Sequence, residues 1–220
     1  MKERLGRDRD RGQASPVYVA GIAGLLFLAF VYFAVGRAAS LRNDAQTAAD
    51  AAALAAAQDA RDQLREGWLE VILDPRQWDE FLQGRKFVPS AACQVASEFA
   101  ARNGAELTGS GCVPSSGGLL GFEVTVRTTG TVGRSIVPGT ESRHATATAA
   151  AVIEPLCAFV PPVEPAPEST PTAPGDAPED ETLPLPVLKC NGNDWDIDPE
   201  DPSLPNAVEL FAIRLTGDDE

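Results

Sequence analysis

The chain has 220 residues, with 32 acidic against 18 basic side chains and a formal net charge of -14, enough length for one modest domain plus tails. The charge is uneven: residues 1–16 carry five basic and three acidic side chains, leaving 13 basic against 29 acidic in the remainder. A body that acidic repels nucleic acid and anionic headgroups alike, which excludes nucleic acid as a partner and argues against an anionic surface.

Residues 1–16 begin MKERLGRDRDRG, charged and without apolar periodicity, and are expected as a basic cytoplasmic tail. From Val17 to Val35 no side chain is charged. A helix of that length is nearly 30 Å long at about 1.5 Å per residue, enough to cross the hydrocarbon core of a bilayer. Tyr18 and Tyr32 lie near its two ends, where amphipathic rings favour the headgroup level. Residues 17–35 are therefore expected to partner the lipid bilayer. Lys2, Arg4, Arg7, Arg9 and Arg11 precede the span, against Arg37 and Arg42 just behind it. That excess predicts a cell-membrane, single-pass protein with its N-terminus cytoplasmic and its C-terminus extracellular. A cleaved signal peptide is the rival, with Ala34-Val35-Gly36 as a loose small-residue cut, but its apolar region would exceed the usual length of about 7–15 residues.

Residues 36–67 continue as helix. Alanine dominates, and alanine has the best intrinsic helix propensity. The run ADAAALAAA at 49–57 presents a thin small-residue face of Ala48, Ala52 and Ala55, suited to close helix–helix approach; otherwise the segment is a solvated stalk.

The basic tail, RGQAS at 11–15, the uninterrupted span and ADAAALAAA together resemble the TadE/TadG-like proteins of tight-adherence, Flp-type pilus systems, over residues 10–60. Members of that family carry a glycine before a prepilin-peptidase cut and a glutamate five residues on. The resemblance makes Gly12 and Gln13 the possible processing junction, although Val17 stands where the glutamate would be. The pattern is closer to the TadG-type branch. The resemblance implies a minor-pilin-like component whose alanine helix and head contact other pilus or secretion subunits; oligomerisation is left open.

Residues 68–160 are expected to form an extracytoplasmic α+β domain, a helix-on-antiparallel-sheet fold. Trp68, Leu69, Ile72 and Leu73 make an opening apolar patch. Asp74-Pro75 is a helix start, with Trp78, Phe81 and Leu82 on one face and Gly84 as its stop. Ser90 is the expected cap of the next helix, which buries Cys93, Val95 and Phe99 and ends at Asn103-Gly104. The period then changes to two: strands are expected at 106–113, 122–131 and 142–153, with Phe122, Val124 and Val126 facing inward and His144 on the wet face.

Cys93, Cys112, Cys157 and Cys190 all follow the span, and an even number outside the membrane reads as two disulfides. Three pairings are possible; the sequential one, Cys93–Cys112 and Cys157–Cys190, joins neighbouring elements. Residues 161–187 are rich in proline and acid and are expected as a disordered loop. Residues 188–220 form a C-terminal segment whose stretch 208–216 reads as a strand returning to the sheet edge. Asp194, Asp196, Asp198, Glu200 and Asp201 cluster between, but Pro199 and the missing glycine break the calcium-loop order.

No nucleophile elbow, phosphate-cradling loop or second histidine is present, so the expectation is a non-enzyme without catalytic, cofactor-binding or metal-ligating residues. The function expected is a structural or assembly part of a pilus or secretion machine. The alternative is a membrane-anchored extracytoplasmic binding module for a protein, a wall polymer or calcium.

Overall fold

The computed structural model describes residues 14–116, 118–133, 139–161, 185–198 and 204–216. Helix α1 runs unbroken from Ala14 to Glu70, 57 residues, or about 85 Å at 1.5 Å per residue. Its two halves differ in environment. Residues 17–33 are exposed along every face, with Val17 at 72% and Tyr32 at 83%. From Ala45 onward the helix enters the core: Ala48, Ala49, Ala52, Ala53, Ala56, Ala57 and Ala60 are completely buried, followed by Leu64 and Trp68. The expected stalk at 36–67 is therefore largely the central helix of the head, and packing shows no boundary at residue 68. The alanines lack the bulk to build a core alone, and they are buried because other elements close over them on several sides.

The chain leaves α1 through a turn capped by Asp74, whose carboxylate accepts the Arg76 N–H at the start of a 3-10 turn, Pro75–Gln77. Helix α2, Trp78–Leu82, buries Trp78, Phe81 and Leu82. Trp78 Nε1 donates to the carbonyls of Val71 and Ile72, and its ring meets Trp68 edge-on at 5.6 Å. Gly67 makes room for this packing, since a Cβ there would lie 2.2 Å from Phe81 Cε1. Leu73, expected in the patch, is exposed because α1 has ended and the chain turns away.

Helix α3, Pro89–Arg102, starts two residues earlier than a Ser90 cap would allow. Val88 is its N-cap and Pro89 its first helical residue, a position where proline's missing N–H costs nothing. The Val88 N–H is held by Gln63 Oε1 of α1 at 2.8 Å. The fully buried side is Ala92, Ala96 and Ala100, whereas Cys93, Val95 and Phe99 are only half-buried. Alanine against alanine lets the two helices approach closely, so the larger side chains sit at the flanks.

Gly104, at φ +70, turns the chain into the sheet. Strands β1 (Ala105–Pro114), β2 (Gly121–Thr128), β3 (Thr146–Pro155) and β7 (Phe211–Thr216) form one antiparallel sheet in the order β1-β2-β3-β7. The register of β1 shifts between Leu107 and Cys112, where Gly109 and Gly111 take positive φ. Phe122, Val124 and Val126 all point into the core. β2 ends at Thr128 rather than 131, and β3 begins at Thr146 rather than 142, because Thr128 turns back onto Ala145 through its backbone and hydroxyl. α1 lies across β2, β3 and β7 while α3 covers β1, making two layers around one core.

A second, smaller sheet that the sequence reading missed joins β4 (Cys157–Phe159), β5 (Leu188–Cys190) and β6 (Asn193–Trp195). Its β5–β6 turn is Asn191-Gly192, both at positive φ, the strongest short-range hairpin signal. Near the C-terminal end of the chain a helical turn, α4 (Ala207–Leu210), closed by an Asn206–Glu209 capping box, precedes β7. The expected strand at 208–216 thus starts at Phe211, because Asn206 and Glu209 satisfy each other's backbone N–H groups in a helix start.

Candidate functional site

α1 carries both surfaces that matter for function, the exposed apolar half and the buried alanine half. The first is long and apolar enough to cross a membrane by length and composition, with none of that window buried. In water, some twenty unburied apolar residues in a row would be a large aggregation liability, so a hydrophobic environment is the physically consistent setting.

The head around the second half is held together by two disulfides within itself, and ring contacts and hydrogen bonds tie it to α1. Cys93 of α3 is bonded to Cys112 of β1, so the helix over the sheet edge cannot peel away from it. Cys157 and Cys190, directly opposite each other on β4 and β5, form the second bridge. No described cysteine is free. Phe159 of β4 stacks on Trp78 at 5.3 Å, which joins the small sheet to the far end of α1. Arg65 Nε donates to the Pro205 carbonyl at 3.0 Å, holding the returning chain against the same helix.

Two carboxylates are held below their ordinary pKa range. Asp74 is lowered mainly by the hydrogen bond from Gln77 and next by that from Arg76. Glu106 is lowered by the hydrogen bond from Arg127 across β1 and β2. Asp74, half-buried, is a capping group and Glu106, exposed, an ion-pair partner; neither is a poised acid. His144 lies in the loop before β3 rather than in the strand, with Nδ1 2.7 Å from the Thr128 carbonyl. Asp194 pairs with Lys189 at 3.8 Å across the small hairpin. Glu200 and Asp201 lie outside the described residues, as do the possible junction Gly12 and Gln13, residues 1–13 of the basic tail and residues 162–184 of the proline-rich segment. Among the described residues no group of three or more His, Cys, Asp or Glu side chains is placed to hold a metal.

At the end of the head nearest the exposed half, α1 and the strand ends enclose an open cleft of about 420 Å³. It is lined by Leu41, Asp44 and Thr47 of α1, with Asn103, Gly104 and the turn at 128–130. Beside the apolar Leu41, its walls carry hydroxyls, amides and one carboxylate, without a nucleophile paired to a base.

These features define a class of protein: one rigid helix whose first half is an unburied apolar rod and whose second half is the core of a disulfide-bonded α+β head. The family model of Flp pilus-assembly TadE/G-like proteins matches residues 12–59, from just ahead of the rod to well inside the buried alanine run, and suggests a component of Flp pilus assembly. No curated protein and no solved structure matches the chain. The similarity therefore falls on the helix and leaves the sheet and both disulfides outside it.

Proposed function

We infer that this protein is a membrane-anchored, non-enzymatic, minor-pilin-like component of a Flp-type pilus or related secretion machine. The N-terminus lies in the cytoplasm, and the disulfide-bonded head stands on the extracellular side. The observation that carries the reading is the coincidence of the family match at 12–59 with a single helix that is unburied over its apolar half and core over its alanine half. A rod of this kind lets one element serve both as lipid anchor and as the scaffold of the head. Motion of one is then passed to the other without a hinge. The two disulfides support an oxidising compartment, since cytosolic thiols are kept reduced. The net-positive tail supports the orientation.

The test is genetic and biochemical together. Deleting the gene should abolish or reduce pili, and a tagged copy should restore them and co-purify with a secretion ATPase and other small span-plus-head proteins. Normal piliation in the deletion strain, with no such partners recovered, would refute the assignment. Mass spectrometry of the native N-terminus decides the form of the subunit. A start at Gln13 marks a processed pilin-like subunit, and an intact tail marks a standing anchor.

A further inference from the structure

We propose that the open cleft at the base of the head receives Arg42 from a second copy of this chain standing beside it in the same membrane, an inference that rests on the anchoring reading above. Asp44 in the cleft wall and Arg42 are two positions apart on α1, and residues so spaced lie on nearly opposite faces of a helix. Arg42 is therefore turned away from the cleft of its own chain. Both side chains are exposed, and neither has an ion-pair partner among the described residues.

The cleft offers acceptors more than donors. The Thr129 hydroxyl donates to the Gly104 carbonyl at 3.0 Å, and the Thr128 hydroxyl donates to the Gly130 carbonyl at 2.9 Å. Asn103 Nδ2 donates to the Phe99 carbonyl at 2.8 Å. Those hydrogens are spent within the head, which leaves lone pairs beside the Asp44 carboxylate. A guanidinium suits such a lining, with five N–H donors and no acceptor, and Leu41 gives the carbon stem of an arginine an apolar surface to lie on. The head's own arginines around the cleft are engaged elsewhere. Arg102 is paired with Glu98 and lies over the Phe99 ring, Arg127 is paired with Glu106, and the Arg37 guanidinium lies beside Gly133.

The span sets the heights. Every copy is held at the same depth, so Arg42 of one stands about 3 Å below Asp44 of its neighbour, within the reach of an arginine side chain. Both residues lie roughly 10–14 Å past Val35 along the helix, whereas the headgroup layer adds only about 5–7 Å on each side of the hydrocarbon core. Lipid headgroups therefore stop short of the cleft, and a cation carried on a neighbouring protein rod is the occupant that arrives at its level. The contact runs from one face of α1 to the opposite face of the next, so it is heterologous and builds a ring or an open row of copies. The acidic heads repel one another, which keeps the contact weak and sensitive to salt.

The experiment reconstitutes the full chain, with donor or acceptor dye on a C-terminal tag, in phosphatidylcholine vesicles and reads association by energy transfer. Arg42→Glu and Asp44→Arg should each weaken association at least about fivefold, the size of one ion pair. The double variant Arg42→Glu/Asp44→Arg should restore it, and added salt should weaken the wild type. Asp44→Asn keeps the size of the side chain and should weaken association too, so a reversal that fails to fold leaves the test standing; thermal melting checks each head. Wild-type transfer no greater than that of an unrelated single-span protein, single variants that associate like wild type, or a double variant that stays weak would each overturn the proposal. Carbonate extraction reports separately on the anchor: a chain that resists extraction yet stays dispersed refutes the pairing alone.

Discussion

Replacing Ala52 by glutamate separates a core helix from a solvated stalk. Ala52 is completely buried among the alanines of α1, so a longer side chain has no solvent to enter. Holding a buried glutamate neutral at pH 7 costs about 3–4 kcal/mol, from the distance between pH 7 and an ordinary glutamate pKa of about 4.3 at 1.36 kcal/mol per unit. Overpacking a filled seam adds about 1–3 kcal/mol. The total of about 4–7 kcal/mol is comparable to the whole stability of a typical domain, so the head of Ala52→Glu should unfold or nearly so. Ala52→Leu keeps helix propensity and adds only bulk, and should cost about 1–3 kcal/mol. Gln58→Glu, on the exposed side of the same helix, is the control and should stay within about 0.5 kcal/mol. Denaturant unfolding of the full chain in detergent is followed by fluorescence of Trp68 and Trp78, both buried and in contact. An Ala52→Glu protein as stable as the Gln58→Glu control would show that this stretch is a stalk after all and refute the packing argument.

Gly121→Ala should be among the most damaging single-methyl additions. The new Cβ would meet the Ala151 carbonyl oxygen at 2.1 Å, and β2 can escape only by loosening its ladder to β3, at about 2–4 kcal/mol judged from hydrogen bonds worth about 1 kcal/mol each and core contacts around Phe122; thermal melting reads this out. Replacing Cys93 and Cys112 by serine should destabilise the head by about 3 kcal/mol, the chain-entropy value for a loop of that size, and an unchanged denaturation midpoint would count against a structural bridge. Glu106 should titrate below ordinary glutamates by NMR. Because its folded pKa is depressed by Arg127, the associated stability is present above the unfolded glutamate pKa and is lost as pH falls through the folded value. Glu106→Gln should flatten that part of the acid limb, and an unaltered limb would remove the pair from the account.

Much of the architecture was readable because each signal was local. The uncharged run from Val17 to Val35, the Asp74-Pro75 start, the Asn103-Gly104 stop and the alternation at Phe122, Val124 and Val126 each depend on near neighbours in the chain. The Asn191-Gly192 hairpin was equally local, but the acidic residues around it drew the reading toward a solvated turn. The start of α3 was misplaced because serine is the commoner cap, whereas Pro89 at the first position lets Val88 do the work with Gln63 from another helix.

The sequence by itself determined that one long helix would begin apolar and continue in alanine, that helices would precede an antiparallel sheet, and that four cysteines would follow the span. Only the tertiary structure decided that the alanine run is the centre of the head, that α3 meets it through Ala92, Ala96 and Ala100, and that the β2–β3 loop reaches back to Arg37. The physical reason is that alanine is equally at home in a solvated helix and in a tight seam. Its burial is settled by what packs over it, and those partners lie tens of residues away along the chain.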